Sequence, residues 1–223
     1  MLVRVIALGS MLALPRVPLE GAEGPCRGLE PPTPRVDVTA DPGGDPPIRN
    51  ASRAEIRQRV GATRGDDGGN PELITSGLTA VELAHEFVYT LARVTKPDGT
   101  ACVALDSVQA RIANRNMTVF VLDRYGEGSC EREAILDHEF EHVEINRDVV
   151  RIAGERLRAQ LEALASRWRG RWLTMDGEAT IRTEIENTVE KVLDAVREQA
   201  AARHAELDTP QSYARTQGRC DGW

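Results

Sequence analysis

Two long apolar stripes of helical period, separated by a short turn, constrain this chain more than any other feature. Apolar residues recur at helical spacing from about Glu131 to Trp168 (Ile135, Val149, Val150, Ala153, Leu157, Leu161, Leu164). They recur again from about Glu178 to His204 (Ile181, Ile185, Val189, Val192, Val196, Ala200). Gly170 closes the first stretch, residues 169–177 read as a turn, and Pro210 bars extension of the second. Ser129 is the expected N-cap, with Arg132 standing where a capping box would carry an acid. Two such helices joined by a short turn are expected to form an antiparallel hairpin, and each stripe needs a second layer to cover it.

Strands upstream supply that layer. After the turn signal Lys96-Pro97-Asp98-Gly99, Cys102–Ile112 reads as a strand, Asn114-Arg115-Asn116 as a turn, and Met117–Leu122 as a short apolar strand. Thr79–Val94 is ambiguous. Val81, Leu83, Phe87, Tyr89 and Leu91 alternate as in a strand, yet Thr79–His85 also fits a short helix. The Pro- and Gly-rich residues 23–50, and the loose stretch Gly61–Pro71, read as part of a partly disordered lead-in over 23–75. The expected fold class is α+β: a short N-terminal β-sheet packed on the helical hairpin, in one domain over 76–223.

Charge and cysteine content narrow the partners and the compartment. Lys+Arg number 28 against 35 Asp+Glu, a formal charge of -7, which argues against binding a nucleic-acid backbone. Arg4, followed by Val5-Ile6-Ala7-Leu8 and Met11-Leu12-Ala13-Leu14, reads as a signal peptide over residues 1–22, and so as export; a buried N-terminal strand is the alternative. No apolar run reaches the roughly 18 residues that span a bilayer, so no stable membrane insertion is expected after signal removal. Cys26, Cys102, Cys130 and Cys220 lack the close pairs of a structural zinc site. In an exported protein they are expected as two disulfides, Cys102–Cys130 and Cys26–Cys220; in a reducing cytoplasm they would be four thiols.

The first long helix carries His138-Glu139-Phe140-Glu141-His142. Residues four apart share one helical face, so both imidazoles can reach one Zn²⁺, and Glu139 falls between them, where it can take a proton from water. His142 and Glu139 lie within the apolar arc and His138 at its edge, whereas Glu141 faces solvent. Burying unpaired ionisable groups costs several kcal/mol, about what a metal would offset. Counting back along the expected hairpin puts His204 level with the pair, within about one turn at 1.5 Å per residue, and makes it the expected third ligand; Asp208 is next in line. Tyr213 is the candidate donor to the developing oxyanion, because the chain turns back after Asp208; a packed tail residue bonded to backbone is the alternative. Asn146, one turn after His142, is a candidate to orient a ligand or, equally, to satisfy a nearby backbone group. His85 reads as a surface or core-edge side chain. Arg167, Trp168, Arg169, Arg171 and Trp172 cluster at the expected hairpin tip and read as a solvated turn with two anchoring indoles.

With these residues in place the sequence resembles a zincin-type metallopeptidase. It is similar in particular to bacterial exported zinc-dependent peptidases grouped as a family of unknown function. The likeness rests on Gly77-Leu78-Thr79-Ala80-Val81-Glu82-Leu83, on Ile135–His142, and on Tyr213-Ala214-Arg215-Thr216-Gln217-Gly218. It implies a small zincin-like fold, a zinc cofactor, Glu139 as general base, and a peptide or protein substrate. Gln217 stands where that pattern carries a His before Gly, which shifts the expected third ligand to His204. Two other functions compete: a non-catalytic exported helical binding module, and a zinc-binding protein without turnover.

Overall fold

The computed structural model describes residues 24–30, 32–64 and 76–223, as backbone alone over 61–64; the expected signal peptide and most of the stretch 61–75 lie outside this range. Among the described residues five strands and four helices follow one another: β1 (Arg35–Asp41), β2 (Ile48–Ala51), α1 (Arg53–Arg64), β3 (Gly77–Thr95), β4 (Ala101–Leu122), α2 (Cys130–Trp168), β5 (Leu173–Thr174), α3 (Gly177–Leu207) and α4 (Pro210–Gln217).

All strands meet on β4. One of its edges pairs antiparallel with β3 along nearly the whole length. The opposite edge takes β5 at Cys102–Val103, then β1 at Ser107–Ala113, then β2 at Val119–Leu122, the last two in parallel. The ambiguous stretch is therefore a strand throughout. Leu83, Phe87, Tyr89 and Leu91 turn one face of it to the core, while Val88, of opposite parity, is exposed. The turn expected at 114–116 is instead a bulge within β4. Between Ala80/Glu82 the register on β4 moves from Thr118 to Arg115, and Asn116 takes a left-handed φ of 54°. Asparagine tolerates that conformation, and its side-chain amide donates to Glu82 at 3.0 Å.

The lead-in expectation is corrected. Residues 35–51 supply β1 and β2, and 53–64 form α1, so prolines at 42, 46 and 47 punctuate strands rather than dissolve them. Arg35-Val36-Asp37-Val38-Thr39-Ala40-Asp41 does alternate polar and apolar residues, a strand signal that the surrounding prolines obscured, whereas the four residues of β2 carry no such pattern.

α2 and α3 form as the periodicity indicates. The Ser129 hydroxyl accepts from the Arg132 amide, capping α2. Arg132 itself is buried and donates to Asn50 at 2.7 Å, which ties β2 to the start of α2. The two helices pack side by side, the end of one against the start of the other. Trp168 near the end of α2 donates to Glu184 near the start of α3, and His142 near the start of α2 meets His204 near the end of α3. Leu157, Leu161, Leu164, Ile181, Ile185, Leu193 and Val196 fill the space between them and the sheet. Gly154 lets β1 approach α2 closely: a Cβ there would lie 2.6 Å from the Ala40 methyl.

Two disulfides are present, with pairings other than expected: Cys26–Cys102 and Cys130–Cys220. Cys102 and Cys130 are near in sequence, but β4 runs between them for roughly 60 Å at about 3.3 Å per residue, far beyond disulfide reach. The first bridge pins the N-terminal segment to the start of β4. The second clasps the start of α2 to the tail beyond α4. Two disulfides fit an oxidising compartment. Among the described residues no helix is long and apolar enough to cross a membrane.

Candidate metal centre

α2 carries His138, Glu139 and His142 into the interior, where they are 7%, 3% and 8% exposed. Nothing in helix propensity asks for this; the apolar stripe sets the rotation of α2, and these three residues share it. Their partners come from two other elements.

The first partner element is the end of α3. Asp208 is its C-cap, and its backbone N–H still bonds to the His204 carbonyl. Thr209 then caps α4, with Pro210 at its first turn. This break in the chain aims the Asp208 carboxylate at α2. Asp208 Oδ1 lies 3.3 Å from His138 Nε2 and 3.1 Å from His142 Nε2. The ligand atoms of His138, His142 and Asp208 all fall within 4.8 Å of one another. On a tetrahedral Zn²⁺ with bonds of about 2.0–2.1 Å, neighbouring ligand atoms are about 3.3 Å apart. Two edges of this triangle have that length, and the donor set, two imidazoles and a carboxylate, is one zinc accepts. The residues fit a metal ion.

α4 brings the chain back over the same point. The Tyr213 hydroxyl donates to Asp208 Oδ1 at 2.7 Å, and its ring lies 5.4 Å from that of His138. The disulfide Cys130–Cys220 closes this return, eight residues before His138.

The second partner element is the start of β3, which crosses α2 at Gly77–Thr79. The Thr79 hydroxyl lies 2.8 Å from Glu139 Oε2 and 2.9 Å from the Glu139 carbonyl oxygen. Gly77 is required by contact: a Cβ there would lie 2.6 Å from Glu139 Oε1 and 2.7 Å from Ile135. The Glu139 carboxylate is thus held from both sides.

The ionisation of the cluster follows from burial and proximity. Burial raises Glu139 above the ordinary range, and the neighbouring histidines and Thr79 only partly oppose it. Burial alone would lower His138, but the bond to Asp208 and the charge of Glu139 outweigh it, and the net shift is upward. Burial pushes Asp208 up, yet bonds from His138, His142 and Tyr213 hold it well below the usual carboxylate range. His204 is pushed down to about 4, first by burial and then by the nearby His142.

His204 sits in the cluster but on its far side. Its Nδ1 is 2.8 Å from His142 Nδ1, and its Nε2 faces Asn146 Oδ1 at 3.4 Å. Asp208, the second choice from sequence, stands in the position expected of His204. The reason is local. Level along the axis does not fix azimuth, and the cap at 208 reaches further inward than the last full turn. His85 lies on β3, 3.8 Å from exposed Glu190, away from the cluster. Thr79, Gly77 and Asn114 were not legible as site residues. Asn114 is buried in β4 and donates to the Asn146 carbonyl at 2.9 Å, bracing α2 from below. No signal short of the strand's path over the helix would have found them.

No family model matches this chain, and neither a curated protein nor a solved structure matches it.

Proposed function

We propose that this protein is an exported, zincin-like metallopeptidase that holds one Zn²⁺ through His138, His142 and Asp208 and uses Glu139 as its general base. The observation that carries the reading is the triangle of donor atoms at metal-ligand spacing, with a buried carboxylate one residue along from the first imidazole. Bound Zn²⁺ supplies Lewis acidity and a water of lowered pKa. The chain's own groups do the rest. Glu139, its pKa raised by burial, is suited to accept a proton from the attacking water and return it to the leaving amine as the C–N bond breaks. Thr79 and Gly77 fix the direction of that carboxylate. Tyr213, its hydroxyl beside Asp208, is the donor suited to the oxyanion. A peptide substrate is supported by β3: among the described residues its outer edge pairs with no strand, and an extended peptide can add there, next to Glu139. Export is supported by the two disulfides together with the signal-like N-terminus.

A second reading has its own observation. His138, His142 and Tyr213 all bond to Asp208 Oδ1, so the cluster is satisfied as a metal-free polar core. Elemental analysis with Glu139→Gln separates the two. The proposal expects one zinc per chain in both proteins, with hydrolysis of a quenched-fluorescence peptide mixture by the parent protein only. Hydrolysis at full rate by the Gln variant, or zinc-free parent protein after preparation in excess zinc, would remove it.

A further inference from the structure

We infer that His204 is a positioning residue that fixes the ring of His142 through a closed chain of hydrogen bonds running His142, His204, Asn146 and back to the His142 backbone. The inference rests on the metal reading above. An imidazole that offers Nε2 to a cation carries its proton on Nδ1 and must donate it. The atom that receives it here is His204 Nδ1, 2.8 Å away. Receiving that proton leaves a neutral His204 with its own proton on Nε2, and Nε2 faces Asn146 Oδ1 at 3.4 Å. With its oxygen turned to His204, Asn146 has its amide nitrogen free to donate, and it donates to the His142 carbonyl at 2.8 Å. Each group is therefore used in the one sense that agrees with its neighbours. The chain is buried at His142 and Asn146, and Asn114 holds the Asn146 backbone from the sheet side.

The same geometry separates His204 from a ligand role. The ring rests against the Nδ1 side of His142, whereas Asp208 lies on the Nε2 side, and both His204 nitrogens already have partners. Carboxylates and backbone carbonyls are the usual groups behind a metal-bound imidazole. Here a second imidazole is in that place, and a third residue sets its tautomer.

The test uses the full, disulfide-bonded chain. Zinc affinity is measured by competition with a chromophoric chelator for the parent protein, His204→Phe and His204→Gln. The Phe variant is expected to bind one zinc about 10–100-fold more weakly, the range for losing such a partner. The Gln variant, whose side-chain oxygen can accept from Nδ1, is expected to recover most of that loss. The visible spectrum of the Co²⁺-loaded Phe variant should match the parent. In the zinc-loaded parent, ¹⁵N NMR should show a scalar coupling across the His142 Nδ1 to His204 Nδ1 bond, with the proton on His142. Equal affinity in parent and Phe variant overturns the positioning role while leaving the metal reading intact. A changed Co²⁺ spectrum overturns it by making His204 a ligand, and absence of the coupling in the zinc-loaded protein overturns it too. A parent protein that binds no zinc defeats the metal reading and reduces the chain of bonds to a structural one. Should the Phe variant fail to fold, Asn146→Ser, which removes the acceptor behind His204, carries the same expectation at several-fold loss.

Discussion

Gly77→Ala puts a methyl group where the structure has no room for one. The new Cβ would lie 2.6 Å from Glu139 Oε1, 2.7 Å from Ile135 Cγ2 and 2.8 Å from Glu139 Cγ. None of these atoms is the far end of a flexible surface side chain: Glu139 is 3% exposed and Ile135 also 3%. Relief requires β3 to lift from α2 or the carboxylate to swing. Overpacking of this kind costs about 1–3 kcal/mol. The backbone at Gly77 is not left-handed, so alanine also narrows the unfolded ensemble and returns about 0.4–1 kcal/mol. From the middle of each range the net loss is about 1.3 kcal/mol, or a fall in Tm of roughly 3–5 °C for a chain of this size. A thermal melt with both disulfides intact reads it. Zinc content should be unchanged, because neither histidine is touched, whereas peptide hydrolysis should fall with the displaced base. A Tm equal to or above that of the parent, with undiminished hydrolysis, would show that the crossing of β3 over Glu139 is not the clamp described.

Three further predictions follow from separate parts of the structure. Non-reducing peptide maps should contain Cys26–Cys102 and Cys130–Cys220; a Cys102–Cys130 peptide would contradict the path of β4. Replacing Cys130 and Cys220 by serine should lower stability by about 2–4 kcal/mol in chemical denaturation and also weaken zinc binding, because that bridge holds the tail that carries Tyr213; replacing Cys26 and Cys102 should lower stability alone. In zinc-free protein the stability lost in Asp208→Asn should depend on pH. His138 has a raised folded pKa, so its contribution is complete below about 6.5 and fades as pH climbs past the folded value. Asp208 has a depressed one, so its contribution is complete above about 4 and fades as pH drops toward the folded value. Melts should therefore show the largest gap between about pH 4 and 6.5, and a gap that stays flat to pH 9 would contradict the coupling.

The helical half of the molecule was legible because its signals are local. Period, Ser129 and Gly170 are read within a few residues, and α2 ends at Trp168 as the sequence indicates. The apolar arc also told that His138, Glu139 and His142 point inward. What needed the structure was pairing at long range. β1 and β2 lie in a proline-rich stretch; β1 alternates locally, but the four residues of β2 do not, and the parallel pairing of both with β4 is a long-range contact. The bulge at Asn116 looks like a turn to any reading that stops at neighbouring residues. The same limit applies to the site. An axial count along two helices brought His204 and Asp208 to the right level, but the choice between them depends on the direction of the C-cap, which period alone does not carry.

X-ray absorption at the zinc edge of the purified full chain reads the proposed ligand set itself. The spectrum should fit one zinc with two imidazole nitrogens at about 2.0–2.1 Å and a carboxylate oxygen at about 2.0–2.2 Å, and should lose the carboxylate shell in Asp208→Ala. A shell of three imidazoles unchanged by that substitution, or no zinc at all, would contradict it.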